Sequence, residues 1–182
     1  MKNYSNERVV VVLHGIALMS FISCYCNVLY DGEKFVDSLE NFGYIVLEKT
    51  PFYAESGGQV SDKGEIIDGN MVINVIGSFK GPNKQHFHQV QFVGTINLDD
   101  DVTAKVDAEF RSRVSRNHSA THLLQKALRE VLGSHVEQSG SYVDGERLRF
   151  DFSHFTAMTQ EEIAKVEAIV NEKIAENIPV VT

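Results

Sequence analysis

Two histidines one helical turn apart, His118 and His122 in RNHSATHLLQKALREVLG (116–133), are the residues of this 182-residue chain best spaced for chemistry. Side chains four apart on a helix lie side by side, so two imidazoles at this spacing can reach one metal ion. Two histidines on a solvated face meet the same spacing, which without a partner motif is a weak signal. Ser119 stands where the H-E-x-x-H helix of a zinc protease carries its general base, so this is not such a helix. A zinc site also needs a third and usually a fourth ligand. Cys24 with Cys26, or His86 with His88, could in principle complete one; the plainer reading makes both pairs ordinary strand residues.

A helix must position the histidines, and the sequence supplies one. Ala120, Leu123, Leu124, Ala127, Leu128, Val131 and Leu132 recur with the period of one buried stripe, and Gly133 follows as a cap. At roughly 100° per residue the histidines fall opposite the centre of that stripe, on a face shared with Gln125 and Arg129. Upstream, residues 43–110 read as short strands. Asp68-Gly69-Asn70 separates two β-branched runs as a hairpin turn would, and Val102, Ala104, Val106 and Ala108 alternate onto one face. Downstream, Leu148, Phe150 and Phe152 alternate with Arg147, Arg149 and Asp151. A second helix opens on a Thr159/Glu162 capping box, carries Ile163, Val166, Ile169, Val170 and Ile174 as its stripe, and closes before Pro179. The expected class is α+β: a small antiparallel β-barrel over 21–110, then an α+β part over 111–182 whose sheet and core look unfinished. Residues 1–20 are left unassigned.

With 43% hydrophobic and 23% charged residues, the composition is that of an ordinary globular protein. Two cysteines make no disulfide framework, so a reducing, cytoplasmic setting is the default. The run VVVVLHGIALMSFISCYC after a charged start could pass for a signal peptide or short span. His14 and Gly15 interrupt it, no cleavage site is evident, and a buried strand pair is the better reading, with no membrane. The net charge of −8 argues against nonspecific nucleic-acid binding by the whole surface. Residues 111–149 nevertheless carry seven Lys and Arg against four Asp and Glu, a net of +3 around the histidines. That excess reads either as a mild basic patch or as ordinary fluctuation of a balanced surface.

Three stretches, TPFYAESGGQV, RNHSATHLLQKALREVLGSHVEQSGS and LRFDFSHF, in this order, closely resemble the middle of alanyl-tRNA synthetases, where a β-barrel joins the editing domain. The resemblance runs from about residue 21 to 182, and free-standing alanyl-tRNA editing proteins share both modules. It implies an alanine–tRNA ligase that also hydrolyses tRNA(Ala) mischarged with serine or glycine at a zinc site. His118 and His122 would be zinc ligands, Thr121 would help recognise the mischarged amino acid, and Gln138 would lie at the editing pocket. Gly57, Gly58 and Gln59 of ESGGQ would face that pocket, although a Gly-Gly pair also serves any plain turn. Arg113, Arg116 and Arg129 of the +3 stretch are the candidates to contact the tRNA acceptor end. The family's remaining zinc ligands lie in a Cys-Gly-Gly-Thr-His motif, and its ATP site in an aminoacylation domain; neither is present in these 182 residues. The zinc set expected here is therefore incomplete, with weak metal binding and exposed apolar surface that favours self-association. Two other readings stay open: a truncated free-standing editing hydrolase, and a non-catalytic module that binds tRNA or a partner.

Overall fold

The structure, a computed structural model, describes residues 20–177. Most of the N-terminal apolar run lies outside these residues. What is described of it, from Phe21, forms the first strand.

The barrel is built from β1 (Phe21–Tyr30), β3 (Ser38–Leu47), β4 (Gly64–Asp68), β5 (Met71–Lys80), β6 (His86–Asn97) and β7 (Asp101–Val106), with a two-residue β2 (Phe35–Val36) folded back on β1. The order β1-β3-β6-β5-β4-β7 closes where β7 returns antiparallel to β1, pairing Val102 with Cys24. Closure removes the free strand edges that a small open sheet would expose. The β4–β5 turn falls at Gly69-Asn70, with Asp68 opposite Met71. Alternate residues point inward: Cys24, Cys26, Ile45, Ile66, Ile73, Val90, Ile96, Val102 and Ala104 fill one continuous core. His88 sits within it, 0% exposed, and both its ring nitrogens are engaged: Nδ1 with the Ile45 carbonyl at 2.8 Å, Nε2 with the Thr50 hydroxyl at 2.7 Å.

Ala108 does not continue the β7 alternation. Asp107 intervenes, its carboxylate accepting from the Phe110 amide at 2.9 Å, and this N-cap starts α1 (Ala108–Leu132) eight residues before the stretch in which the apolar period is visible. Gly133 ends it, donating to the Arg129 carbonyl. After α1 come a hairpin of β8 (Gln138–Val143) and β9 (Leu148–Phe152), then α2 (Gln160–Ala175), which opens on both halves of the Thr159/Glu162 capping box. This second layer has a slight core. Ala127, Leu128, Val136 and Val166 are buried, and Phe150, Phe152, Ile169 and Val170 pack on them only half-buried.

Candidate functional site

The histidine pair is held from both sides by the fold. Between β3 and β4 the chain makes a long excursion, residues 48–63, that leaves the barrel wall and reaches α1. Its tip is a tight turn in which Ser56 and Gln59 exchange backbone hydrogen bonds at 3.0 and 3.2 Å. Gly57 and Gly58 occupy its corners at φ +60° and +83°, the left-handed region a two-residue hairpin turn of this kind needs. The turn is more than a bend. Val143 of β8 donates to the Gly58 carbonyl at 2.8 Å, Val60 donates to the Val143 carbonyl at 3.0 Å, and the Ser141 hydroxyl donates to the Gly57 carbonyl at 3.1 Å. A Cβ at Gly58 would lie 2.2 Å from the Ser141 carbonyl oxygen, so the close approach excludes any other residue.

This docking carries Gln59 to the helix. Its side chain is buried, and its Oε1 lies 2.5 Å from His118 Nδ1. His122 is one turn on, its ring centroid 5.0 Å from that of His118 and tilted by 33°. Both histidines are half-buried, so the face is roofed by the loop and not openly solvated. The helix wheel misplaced this face for a definite reason. The first half of α1 buries or half-buries Arg111, Val114, His118 and Thr121 toward the loop; the second buries Leu124, Ala127, Leu128 and Val131 toward α2 and the hairpin. The inward stripe turns by roughly a quarter to a third of a revolution along the helix. A wheel drawn from residues 120–132 alone sees only the second stripe.

A buried ion pair fixes the helix in this pose. The Arg111 guanidinium forks onto both oxygens of Asp62, with Nε at 3.1 and 3.2 Å, and its Nη2 also donates to the Pro51 carbonyl. Asp62 in turn accepts from the Tyr53 amide at 2.7 Å, so one carboxylate ties α1 to both arms of the excursion. Asn117 adds a 2.8 Å bond to the Asp144 carbonyl in the β8–β9 turn. Neither Arg111 nor Asn117 stands out in the sequence as a positioning residue, because their partners are 49 and 27 positions away.

The other candidate residues are placed unequally. Thr121 is buried beside the histidines, and its hydroxyl donates to the Asn117 carbonyl at 2.8 Å, leaving its lone pairs to accept. Gln138 stands exposed at the first position of β8, opposite Phe152 and three residues before Ser141. Arg129 is exposed on the histidines' side of α1, beside the Ser134 carbonyl. Arg113 and Arg116 lie on roughly the opposite side of the helix by their spacing, and Arg113 pairs with Glu109 at 3.0 Å. The +3 stretch is thus no single patch: Arg111 faces Asp62, Arg147 faces Asp144 and Arg149 faces Asp151.

Neither substitute pair can complete a metal site. Burial pushes the Cys26 thiol up to about 12 and raises that of Cys24, the reverse of what a thiolate ligand needs. His88 has no nitrogen to spare, and burial lowers it to about 4. His86 contacts the Phe52 carbonyl at 3.3 Å. Among the described residues no group of three or more His, Cys, Asp or Glu could hold a metal ion. His118 and His122 stand one helical turn apart without belonging to any such group. No helix among the described residues is long and apolar enough to cross a membrane.

Comparison with known proteins agrees with the motifs and extends them. Residues 13–110 match the family profile of class II (A) tRNA synthetases, starting inside the segment left unassigned above. The alanine–tRNA ligase of Bacillus velezensis is 50% identical over 156 residues, 85% of this chain and 18% of that protein. Its counterpart in Staphylococcus epidermidis is 48% identical over 178 residues, 96% of this chain and 20% of the relative. That of Bacillus subtilis is 49% identical over 154 residues, 84% and 18% respectively. The chain spans about a fifth of the length of these relatives.

Proposed function

Because the chain belongs to the class II alanyl-tRNA synthetase family, we propose that it carries the barrel and the first half of a zinc-dependent editing site, which removes serine or glycine wrongly attached to tRNA(Ala). One observation supports this above the others: the barrel loop is seated on the histidine pair, with Gln59 against His118, so barrel and helix together form one built site. His118 and His122 would be two of the metal's ligands. The metal would polarise the aminoacyl ester or lower the pKa of a bound water.

The chain's own groups have narrower tasks. Gln59 and the Gly57-Gly58 turn close one wall of the site and limit water there. Thr121 Oγ1, its proton committed to the Asn117 carbonyl, offers an acceptor to a substrate hydroxyl. A polar site of this kind favours serine over analogues that leave the acceptor unpaired. Arg129, on the histidines' side of α1, is the candidate for a phosphate of the acceptor end. Attachment of alanine with ATP would belong to the parts of the ligase outside this fifth of its length, and the cytoplasm would be its place of work.

The test supplies the rest of the ligand set. With zinc and a separate polypeptide bearing the family's Cys-Gly-Gly-Thr-His segment, the chain is expected to hydrolyse Ser-tRNA(Ala), and to stop on His122→Ala or on addition of a chelator. Alone, it is expected to be inactive, since misplacement of the reacting groups costs large factors in rate. Hydrolysis by the chain alone that ignores both chelator and His122→Ala would overturn the proposal.

A further inference from the structure

We infer that the outer face of β3, β6 and β5 is the docking surface for another domain of the same ligase polypeptide, one that presents apolar, uncharged surface of its own. The inference rests on the family and not on the zinc reading. An antiparallel sheet with one face on a core and the other in water turns polar and charged residues outward. Here charge is nearly absent. Strands of 10, 12 and 10 residues carry one acidic side chain, Glu40, and one basic, Lys80, both toward strand ends. The short β4 and β7 hold four charges between them: Glu65, Asp68, Asp101 and Lys105. Rings and aliphatic groups stand in place of charge. Phe42 and Phe79 are each 45% exposed and Val93 is 89% exposed, with Val72 and Ile76 also exposed. Tyr44 links the rings across the sheet, its centroid 6.2 Å from Phe42 and 5.7 Å from Phe79, both edge-on. The polar groups among them are uncharged amides: Gln91 stands opposite Phe42 and Asn74, and Gln89 opposite Tyr44.

Each feature narrows the occupant. Exposed rings with few charges are the composition of the buried centre of a protein interface. RNA would bring phosphates, whose neutralisation dominates its affinity, and the strands of this face offer them Lys80 alone. The exposed apolar side chains amount to on the order of 500 Å², a large patch for a monomer. With the amides added, the face reaches the lower range of contacts between domains of one chain, about 600 Å² upward. Such a domain is on hand in the relatives, since this chain spans about a fifth of their length. A covalently linked domain needs only weak affinity to stay docked, because its effective concentration is high.

The test returns the chain to a whole ligase. A hybrid carries it in place of the region it matches in the Bacillus subtilis alanine–tRNA ligase. Surface side chains are labelled with a photogenerated carbene, in the hybrid and in the isolated 182-residue chain. In the isolated chain Phe42, Tyr44 and Phe79 are expected to label. In the hybrid their labelling is expected to fall several-fold, whereas Tyr25 of β1, 52% exposed, keeps its own. Phe42→Lys with Ile76→Lys is expected to restore labelling of Tyr44 in the hybrid and to leave the melting temperature of the isolated chain nearly unchanged, since both side chains face water there. Attachment of alanine to tRNA by the hybrid reports that it has folded. Should it not fold, the remaining parts of that ligase are added in trans to the isolated chain and the same labels are read. Equal labelling of the rings in every setting would overturn the inference, and so would an equal loss at Tyr25. Protection that grows with the concentration of the isolated chain would make the occupant a second copy; protection on adding tRNA(Ala) would make it RNA; rings already shielded in the dilute chain would mean that the chain covers this face itself. Each of these would overturn the inference too. None of these readings needs zinc, so the editing proposal and this one fail separately.

Discussion

His88 shows what a buried polar side chain costs and fixes. Its ring joins β6 to the Ile45 carbonyl of β3 and to Thr50 at the root of the excursion, and burial away from water disfavours its charged form. Burial lowers it from the ordinary 6.5 to about 4, and lowers His86 in the same direction. The unfolded chain therefore binds a proton that the folded chain refuses between about pH 6.5 and 4. Stability is expected to fall as pH drops through that window, by on the order of 3 kcal/mol for His88, and to owe nothing further to it below. Urea midpoints between pH 7.5 and 4.5 measure this. His88→Leu should flatten the curve while lowering stability throughout, because Ile45 and Thr50 lose their partner; an unchanged slope would refute the assignment. At this scale the sequence showed the paired histidines of the helix, because spacing along a helix is local. It could not show that His118 faces Gln59, or that His88 is a core residue with two partners, because those contacts join residues dozens of positions apart.

The element that decides the site is α1, and its pose rests on one ion pair. Arg111 and Asp62 have side chains 13% and 5% exposed, so removing one leaves the other charged in a place water does not reach. Breaking such a pair costs about 3–5 kcal/mol, whereas replacing both partners with apolar groups can be nearly neutral. Arg111→Met is therefore expected to destabilise the chain by that amount, and Arg111→Met with Asp62→Leu to recover a good part of it, measured by urea unfolding. Amide exchange should localise the loss to residues 48–63 and the first turns of α1. Equal destabilisation by the single and double variants would mean that the pair does not act as a unit. The apolar period made most of α1 legible. Its first two turns were hidden because their buried face is set by Arg111 and by contact with the loop, not by a hydrophobic stripe. β8 was hidden for a related reason: QSGSYV lacks alternation, and it becomes a strand by pairing with β9, with the Gly57-Gly58 turn docked at its Val143 end.

As a whole, the molecule is a well-filled barrel bearing a thin second layer. Among the described residues, sixteen buried ones form the barrel's apolar core, against four beneath the hairpin and α2. A two-stranded hairpin is marginal by itself, so β8–β9 depends on the helices and on the loop docked at Val143. The exposed apolar groups of the second layer, Phe155 at 83% and Ile174 at 54%, sit on that weaker part, which also holds the half-buried Phe150 and Phe152. Alternation and turn residues, both local patterns, made the barrel's strands readable, whereas the thinness of the second core could only be suspected from how few stripes it had. Unfolding should follow the same division. Amide exchange in residues 134–177 is expected to proceed through local opening at a free energy well below that of β3, β5 and β6. Raising the protein concentration should slow exchange around Phe150, Phe152 and Phe155 if copies meet through this face, as its half-buried phenylalanines invite. The barrel amides should not respond. Uniform protection across both layers would show that the loop and the Arg111–Asp62 pair couple them into one cooperative unit, and concentration-independent exchange would remove the second layer as a surface for self-association.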